Sequence, residues 1–153
     1  MLDEVPIFED VISDIFLDEN QIQDIVFRTA EKMASDIISN NYNQIIIMAI
    51  LSGAKYFSRD LEIKLKEIIS IKYPDYKLEI HTDSITVKSY QGTQSKEIKV
   101  VKDHKLDIEN KIVYLAEDIL DTGKSIDFTL NHLKTKKPQR IRPQKTENRI
   151  MHL

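Results

Sequence analysis

The densest group of chemically capable side chains lies in the segment 117–125. Two acids, Glu117 and Asp118, follow a run of apolar residues, and a third acid, Asp121, comes three positions later. Directly after it the chain reads Thr122-Gly123-Lys124-Ser125, where an amphipathic helix is predicted to begin. Free main-chain amides at the start of a helix, together with two hydroxyl groups, form a cradle that suits a phosphate monoester.

The acids beside this cradle restrict the ligand further. Carboxylates repel phosphate, so they suit the hydroxyl groups of a sugar or a Mg²⁺ ion that the phosphate shares. A phosphorylated sugar therefore fits the segment. A nucleoside triphosphate is the competing ligand, because Gly123-Lys124-Ser125 imitates the end of a P-loop. That motif requires glycine at the position of Asp118, which excludes the triphosphate.

The chain is poor in glycine. It contains three glycines, Gly53, Gly92 and Gly123, where an average composition would give roughly eleven. We therefore expect each to lie where the backbone needs a positive φ or approaches a ligand closely. Gly53 follows an apolar run, Gly92 lies in a polar segment, and Gly123 belongs to the cradle.

The elements that must position these residues alternate between strands and helices. Residues 45–51 and 112–116 are apolar throughout, which is typical of central parallel strands covered on both faces. Helical periodicity covers 22–38, 57–69 and 126–133, and shorter extended patterns lie at 78–87 and 98–100. The first helix is predicted to end near Asn40-Asn41. The pattern predicts an α/β fold with a mostly parallel sheet and helices on both faces. Ligands of such sheets bind beyond the carboxyl ends of the strands, where Gly53 and Gly123 fall.

Composition sets the broad class. The 153 residues are 41% hydrophobic and 31% charged, as in a globular domain, and no apolar run approaches the length of a membrane span. The absence of cysteine agrees with a reducing compartment, and we expect a cytoplasmic protein. Residues 134–153 carry seven bases against one acid, so the rest of the chain is acidic. An acidic body does not suit a nucleic-acid partner. No membrane partner is expected either.

Three segments resemble one family. Residues 113–125, Val-Tyr-Leu-Ala-Glu-Asp-Ile-Leu-Asp-Thr-Gly-Lys-Ser, resemble the phosphoribosyl-pyrophosphate motif of type I phosphoribosyltransferases. The segment Ile50-Leu51-Ser52-Gly53-Ala54 is similar to the pyrophosphate loop of the hypoxanthine-guanine branch, and Ser89-Tyr90-Gln91-Gly92-Thr93-Gln94-Ser95 is similar to its mobile catalytic loop. The resemblance covers about residues 12–141. It implies the Rossmann-like core of these enzymes.

The resemblance also implies the roles of the site residues. Glu117 and Asp118 would hold the ribose hydroxyls directly or through Mg²⁺, and Asp121 would face N7 of a purine as proton acceptor or electrostatic partner. The remaining predicted residues fall into three groups: Thr122, Gly123, Lys124 and Ser125 would cradle the 5-phosphate, Leu51, Ser52 and Gly53 would line the pyrophosphate, and Ser89 and Tyr90 would close over the reacting centre. Many relatives carry lysine at the position of Ser52.

The implied reaction joins hypoxanthine or guanine to phosphoribosyl pyrophosphate, giving IMP or GMP and pyrophosphate. The implied cofactor is Mg²⁺, and a homo-oligomer is the expected assembly. A second hypothesis is a non-catalytic protein that binds phosphoribosyl pyrophosphate as a remnant or regulator. It arises because the family chain continues, after the region of resemblance, with a buried strand and with residues that recognise the purine.

The last residues depart from the family pattern. We predict a phosphoribosyltransferase core over residues 1–141 and a divergent, disordered tail over 142–153. The tail shows no strand periodicity, and Pro143 stands where a central strand should run. The C-terminal strand of the family is therefore expected to be missing.

Overall fold

The computed structural model describes residues 19–51, 55–91, 96–117 and 124–145, which form three helices and five strands. The helices are α1 (Glu19–Asn40), α2 (Lys55–Lys72) and α3 (Lys124–Lys134). The strands are β1 (Gln44–Leu51), β2 (Glu79–Gln91), β3 (Lys96–Lys102), β4 (Ile112–Glu117) and β5 (Arg140–Lys145). Every helix and strand predicted from periodicity is present.

The strands form one sheet in the order β3-β2-β1-β4-β5. β1 pairs in parallel with β2 and β4, and β4 pairs in parallel with β5. The pairing of β2 with β3 is antiparallel. The predicted α/β class with a mostly parallel sheet is confirmed.

Helices cover both faces of the sheet. On one face, α1 and α2 enclose Ile45, Ile47 and Tyr114 in a core cluster. On the other face, α3 packs its Ile126 and Leu133 into a cluster with side chains of β1 and β4. This double cover explains why β1 and β4 are apolar throughout, because their side chains are buried on either side. Of the helices described, none is long and apolar enough to cross a bilayer.

The sequence determines where α1 ends. Asn41 adopts a left-handed conformation with φ of 56°. Its amide donates to the carbonyl of Ile38 at 3.1 Å, and the amide of Tyr42 donates to the carbonyl of Ile37 at 3.0 Å. These two bonds satisfy carbonyls that the helix leaves without partners, and asparagine tolerates the left-handed conformation well. The predicted helix end at Asn40–Asn41 is confirmed.

The hairpin of β2 and β3 is longer than the sequence suggested. We expected a loop over residues 89–95, but β2 extends to Gln91 and its last three residues pair with Lys96–Ile98 of β3. The loop prediction is therefore wrong for residues 89–91, because cross-strand pairing continues through polar residues. Residues 92–95, including Gly92, lie outside the described residues.

The last strand corrects a second expectation. Residues 140–145 form β5, which pairs in register with β4 from Arg140 opposite Ile112 to Lys145 opposite Glu117. The prediction of a tail without a strand is wrong for residues 142–145. Pro143 is compatible because β5 lies at the edge of the sheet, where a residue without an amide hydrogen can face outward. Residues 146–153 lie outside the described part of the chain.

Asp83 and Asp103 form polar contacts that hold the β2–β3 hairpin against neighbouring elements. The Oδ2 atom of Asp83, on β2, accepts hydrogen bonds from the amides of Lys105 at 2.6 Å and Leu106 at 2.7 Å. Asp103, just after β3, lies 3.1 Å from Nε2 of His132 on α3. The segment between β3 and β4 is thereby tied to β2 and to α3.

The hydrogen bonds to Asp83 also set its acidity. Burial by itself would raise the pKa of Asp83, but the amides of Leu106, Ser84 and Lys105 outweigh burial and lower the pKa below its usual value. A carboxyl group whose pKa is lowered on folding stabilises the protein above the pKa of the unfolded chain, near 3.9. That stabilisation is lost as the pH falls through the lower pKa of the folded state.

Replacing Asp83 by asparagine should therefore lower the free energy of unfolding by about 1–2 kcal/mol at neutral pH. The difference from wild type should begin to shrink below about pH 4, where the carboxyl of the unfolded chain becomes protonated, and should shrink further as the pH falls through the lower pKa of the folded state. Urea denaturation at pH 7 and pH 3 measures both values. Asp75→Asn, at an exposed turn position, is the matched control. An equal loss of stability at both pH values would contradict the assigned role of the charge.

Candidate functional site

The candidate site lies at the carboxyl edge of the parallel strands. β1 and β4 are neighbours in the sheet, and the last register pair between them joins Ala49 to Ala116. Leu51 and Glu117, which end the two strands, consequently reach the same edge. The segments 52–54 and 118–123 start from these two adjacent points. The fold therefore places the ends of β1 and β4, from which these two predicted site segments continue, next to each other.

Six of the predicted site residues lie outside the described part of the chain: Ser52, Gly53, Asp118, Asp121, Thr122 and Gly123. Of the others, Leu51 ends β1 and Glu117 ends β4. Lys124 and Ser125 begin α3, as the predicted helix start requires. Ser89 and Tyr90 lie in β2. The positions of these six agree with a shared site, and their chemical roles stay predictions.

Of the three predicted site acids, Glu117 is the one that lies within the described residues. Its side chain is buried, with the residue 2% exposed. Its position at the carboxyl edge of the parallel strands is where ligands of such sheets bind. Its register partner on β5 is Lys145. Within the described ranges, no three His, Asp or Glu side chains come together as a metal site.

The β2–β3 hairpin projects past the same edge. β2 pairs with β1 only as far as Thr86, opposite Leu51, and then continues five residues to Gln91. At the usual rise of a strand, this extension reaches about 16 Å beyond the end of β1. A register shift in the pairing with β3 lies between Thr86 and Val87, where β2 passes the end of β1. Ser89 and Tyr90 lie on this projecting arm.

A polar network that sequence reasoning missed supports β4 beneath the site. Tyr114, three residues before Glu117, is 1% exposed and donates a hydrogen bond from its hydroxyl to Oδ2 of Asp36 on α1. Nε of Arg142, on β5, lies 3.0 Å from the same carboxylate oxygen. The contact between Arg142 and Asp36 is an ion pair, because the geometry at Nε does not meet that of a hydrogen bond. Asp36 thereby joins α1, β4 and β5.

The environment of Tyr114 explains the strength of this link. Burial raises the pKa of the Tyr114 hydroxyl far above its usual value, and the hydrogen bond to the Asp36 carboxylate raises it further. The hydroxyl therefore stays protonated and remains a donor. The signal in the sequence was a tyrosine within an otherwise apolar buried strand, because a buried tyrosine hydroxyl normally has a partner. The sequence did not indicate that this partner would be Asp36, which lies far away in the chain.

The fold and the site define the class of protein. A mostly parallel sheet with this strand order, with an acid at the end of β4 followed by the segment 118–125, is the arrangement of type I phosphoribosyltransferases. The chain belongs to the phosphoribosyl transferase domain family, which matches residues 18–143. The resemblance inferred from the three sequence segments is confirmed.

The individual relatives belong to the hypoxanthine-guanine branch. A hypoxanthine-guanine-xanthine phosphoribosyltransferase of Tritrichomonas foetus is 29% identical over 140 residues, which are 91% of this chain and 68% of the relative. A hypoxanthine phosphoribosyltransferase of Buchnera aphidicola is 31% identical over 129 residues, which are 83% of this chain and 66% of the relative.

A solved structure gives the same result. The crystal structure of a hypoxanthine-guanine phosphoribosyltransferase from Bacillus anthracis matches with a TM-score of 0.67 and 25% identity, covering 85% of this chain and 68% of that one. The present chain thus spans about two thirds of the length of these relatives.

Proposed function

We propose that this chain acts in purine salvage as a glycosyltransferase of the hypoxanthine-guanine type. It would join hypoxanthine or guanine to phosphoribosyl pyrophosphate, forming a bond from the ribose to a ring nitrogen and releasing pyrophosphate. The main support is Glu117, a buried acid at the end of β4, in a chain that matches the phosphoribosyl transferase family over residues 18–143. The relatives in the hypoxanthine-guanine branch favour this function over a protein that only binds the sugar phosphate.

In this proposal the chain holds the sugar on two sides. Glu117 and Asp118 accept hydrogen bonds from the ribose hydroxyls, and the segment 122–125 at the start of α3 binds the 5-phosphate through main-chain amides and hydroxyl groups. Leu51, Ser52 and Gly53 line the pyrophosphate. Asp121 lies beside N7 of the purine and accepts its proton or stabilises its developing charge.

The arm of the β2–β3 hairpin excludes water. Positive charge develops on the ribose while its bond to pyrophosphate breaks, and water would then compete with the purine. Closure of Ser89 and Tyr90 over the site would prevent this hydrolysis. Their position on a strand that projects past the sheet edge supports the role, because a hairpin that leaves the sheet can move without disturbing the core.

The acids at the end of β4 have the chemistry of a Mg²⁺ site. Mg²⁺ binds oxygen ligands, usually one or two carboxylates together with substrate phosphates. Glu117 and Asp118 supply two carboxylates next to the segment that is proposed to bind phosphate. A bound Mg²⁺ would neutralise charge on the leaving pyrophosphate. We include Mg²⁺ as the cofactor on this basis.

The proposal extends to compartment and assembly. A chain without cysteine is suited to a reducing compartment, and we place the protein in the cytoplasm. We also propose that it forms a homo-oligomer, for which the supporting observation is large exposed apolar side chains on two helices: Ile22 and Phe27 on α1, Ile63 and Ile71 on α2.

Binding and turnover test the proposal separately. Calorimetry should show Mg²⁺-dependent binding of phosphoribosyl pyrophosphate, and a coupled assay with hypoxanthine or guanine should show formation of the nucleotide. Glu117→Gln should weaken binding at least about tenfold, since a charged hydrogen-bond acceptor is replaced by a neutral group of the same shape.

Glu109→Gln, an exposed position in the turn before β4, is the matched control and should bind like wild type. Sugar-phosphate binding without any nucleotide formation would instead support the binding-only hypothesis. Unchanged affinity in Glu117→Gln would remove the assigned role of this acid.

A further inference from the structure

One face of the β2–β3 hairpin carries three lysines. Lys88 lies directly opposite Lys99, and Lys102 lies opposite Thr86, so that all three point to the same side as Thr86. Glu97 is the one acid among the described residues of this hairpin face. Like charges directly opposite each other destabilise an antiparallel pair, so a bound anion would offset the repulsion between Lys88 and Lys99.

The charge of Lys88 is not compensated by the carboxylates near it. Nζ of Lys99 lies 3.8 Å from Oε1 of Glu97. On α2, which packs on the same face of the sheet, Oε2 of Glu62 lies 2.8 Å from Nζ of Lys66. Lys88 is exposed, and within the described ranges it forms no ion pair or hydrogen bond. Its ammonium group is therefore available to a ligand.

Lys88 lies beside the end of β1. Thr86 is the register partner of Leu51, and Lys88 follows two residues later, about 7 Å farther along β2. Residues two apart in a strand point to the same face, so Lys88 points to the side on which α2 packs against Leu51. The flexible four-carbon stem of lysine lets the ammonium group turn back toward the end of β1.

The strand order places Lys88 and Glu117 on opposite sides of β1. β2 and β4 are the two neighbours of β1 in the sheet, each about 4.8 Å away. In the proposed function Glu117 holds the ribose, and Leu51 belongs to the segment that lines the pyrophosphate. A ligand that extends from its ribose at β4 to its pyrophosphate at β1 would consequently carry its negative charge toward Lys88.

We propose that Lys88 binds the pyrophosphate group of phosphoribosyl pyrophosphate through its ammonium group. The inference rests on the proposed function and adds a binding residue to the same site. Lysine is a common phosphate ligand and acts as a compact positive charge. Because negative charge on the pyrophosphate increases while its bond to the ribose breaks, the ammonium group also stabilises the leaving group.

Binding of inorganic pyrophosphate with Mg²⁺, measured by calorimetry on the full chain, tests this role. Lys88→Gln should weaken the binding at least about tenfold, because a charge-assisted contact is lost. Lys88→Arg keeps the charge and should bind more tightly than Lys88→Gln. Lys77→Gln is the matched control, since Lys77 is an exposed lysine just before the opposite end of β2, and it should bind like wild type.

Ribose 5-phosphate serves as the second probe, because it lacks the pyrophosphate group. Its affinity should be the same in Lys88→Gln and wild type. An equal loss of affinity for both probes would indicate a structural effect of the substitution and would overturn the inference. Unchanged pyrophosphate affinity in Lys88→Gln, or no pyrophosphate binding by wild type, would overturn it as well.

The coupled assay for nucleotide formation separates this inference from the proposed function. If wild type forms the nucleotide and Lys88→Gln binds pyrophosphate normally, only the role of Lys88 is rejected. If pyrophosphate binding depends on Lys88 in a chain that forms no nucleotide, the role of Lys88 is supported and the transferase function is contradicted.

Discussion

Asp121→Asn is expected to lower the turnover of nucleotide formation by about two orders of magnitude or more, the usual effect of removing a proton acceptor or electrostatic partner. Asparagine has the shape of aspartate but neither its charge nor its basicity. The affinity for phosphoribosyl pyrophosphate should stay close to wild type, because the proposed role of Asp121 concerns the purine. Steady-state kinetics and calorimetry measure the two quantities independently.

The control for this variant lies in the same region of the chain. Asp127→Asn makes the same chemical change in the first turn of α3, at an exposed position. It should retain wild-type turnover. If Asp121→Asn and Asp127→Asn behaved alike, Asp121 would have no special part in the reaction. A loss of sugar-phosphate affinity equal to the loss of turnover would place Asp121 at the ribose or the phosphate instead.

Asp36→Ala is expected to give the largest loss of stability, about 2–4 kcal/mol in the free energy of unfolding. The substitution leaves the buried hydroxyl of Tyr114 without its acceptor and removes the ion-pair partner of Arg142. The buried Tyr114 hydroxyl then carries the cost of desolvation without compensation, and the partly exposed Arg142 guanidinium loses a counter-charge. Because Arg142 lies on β5 and Tyr114 on β4, the pairing of these strands should weaken as well.

Two further comparisons isolate the cause. Asp24→Ala removes an acid from the same helix, where it forms an exposed ion pair with Arg28, and should cost at most about 0.5 kcal/mol. In a Tyr114→Phe background, Asp36→Ala should cost less than in wild type, since no hydroxyl is left without a partner. Urea denaturation measures wild type, the three single variants and the double variant. Equal losses for Asp36→Ala and Asp24→Ala would contradict the network.

The sequence by itself determined the elements whose patterns are local. The uninterrupted apolar runs of β1 and β4 predicted buried parallel strands, since only a strand covered on both faces needs apolar residues at every position. Paired asparagines predicted the end of α1. The acids and the glycine of segment 117–125 predicted a site at the end of β4, and the structure places Glu117 at that edge. The roles of Asp118, Asp121 and the cradle residues stay predictions.

Only the tertiary structure decided what depends on distant partners. Residues 140–145 have no strand periodicity, yet they form β5 because β4 offers them a hydrogen-bonding edge and Asp36 pairs with Arg142. Residues 89–91 extend β2 because β3 lies opposite them. Local composition cannot indicate these outcomes, because the stabilising partner in each case comes from another strand or helix and is brought close only by folding.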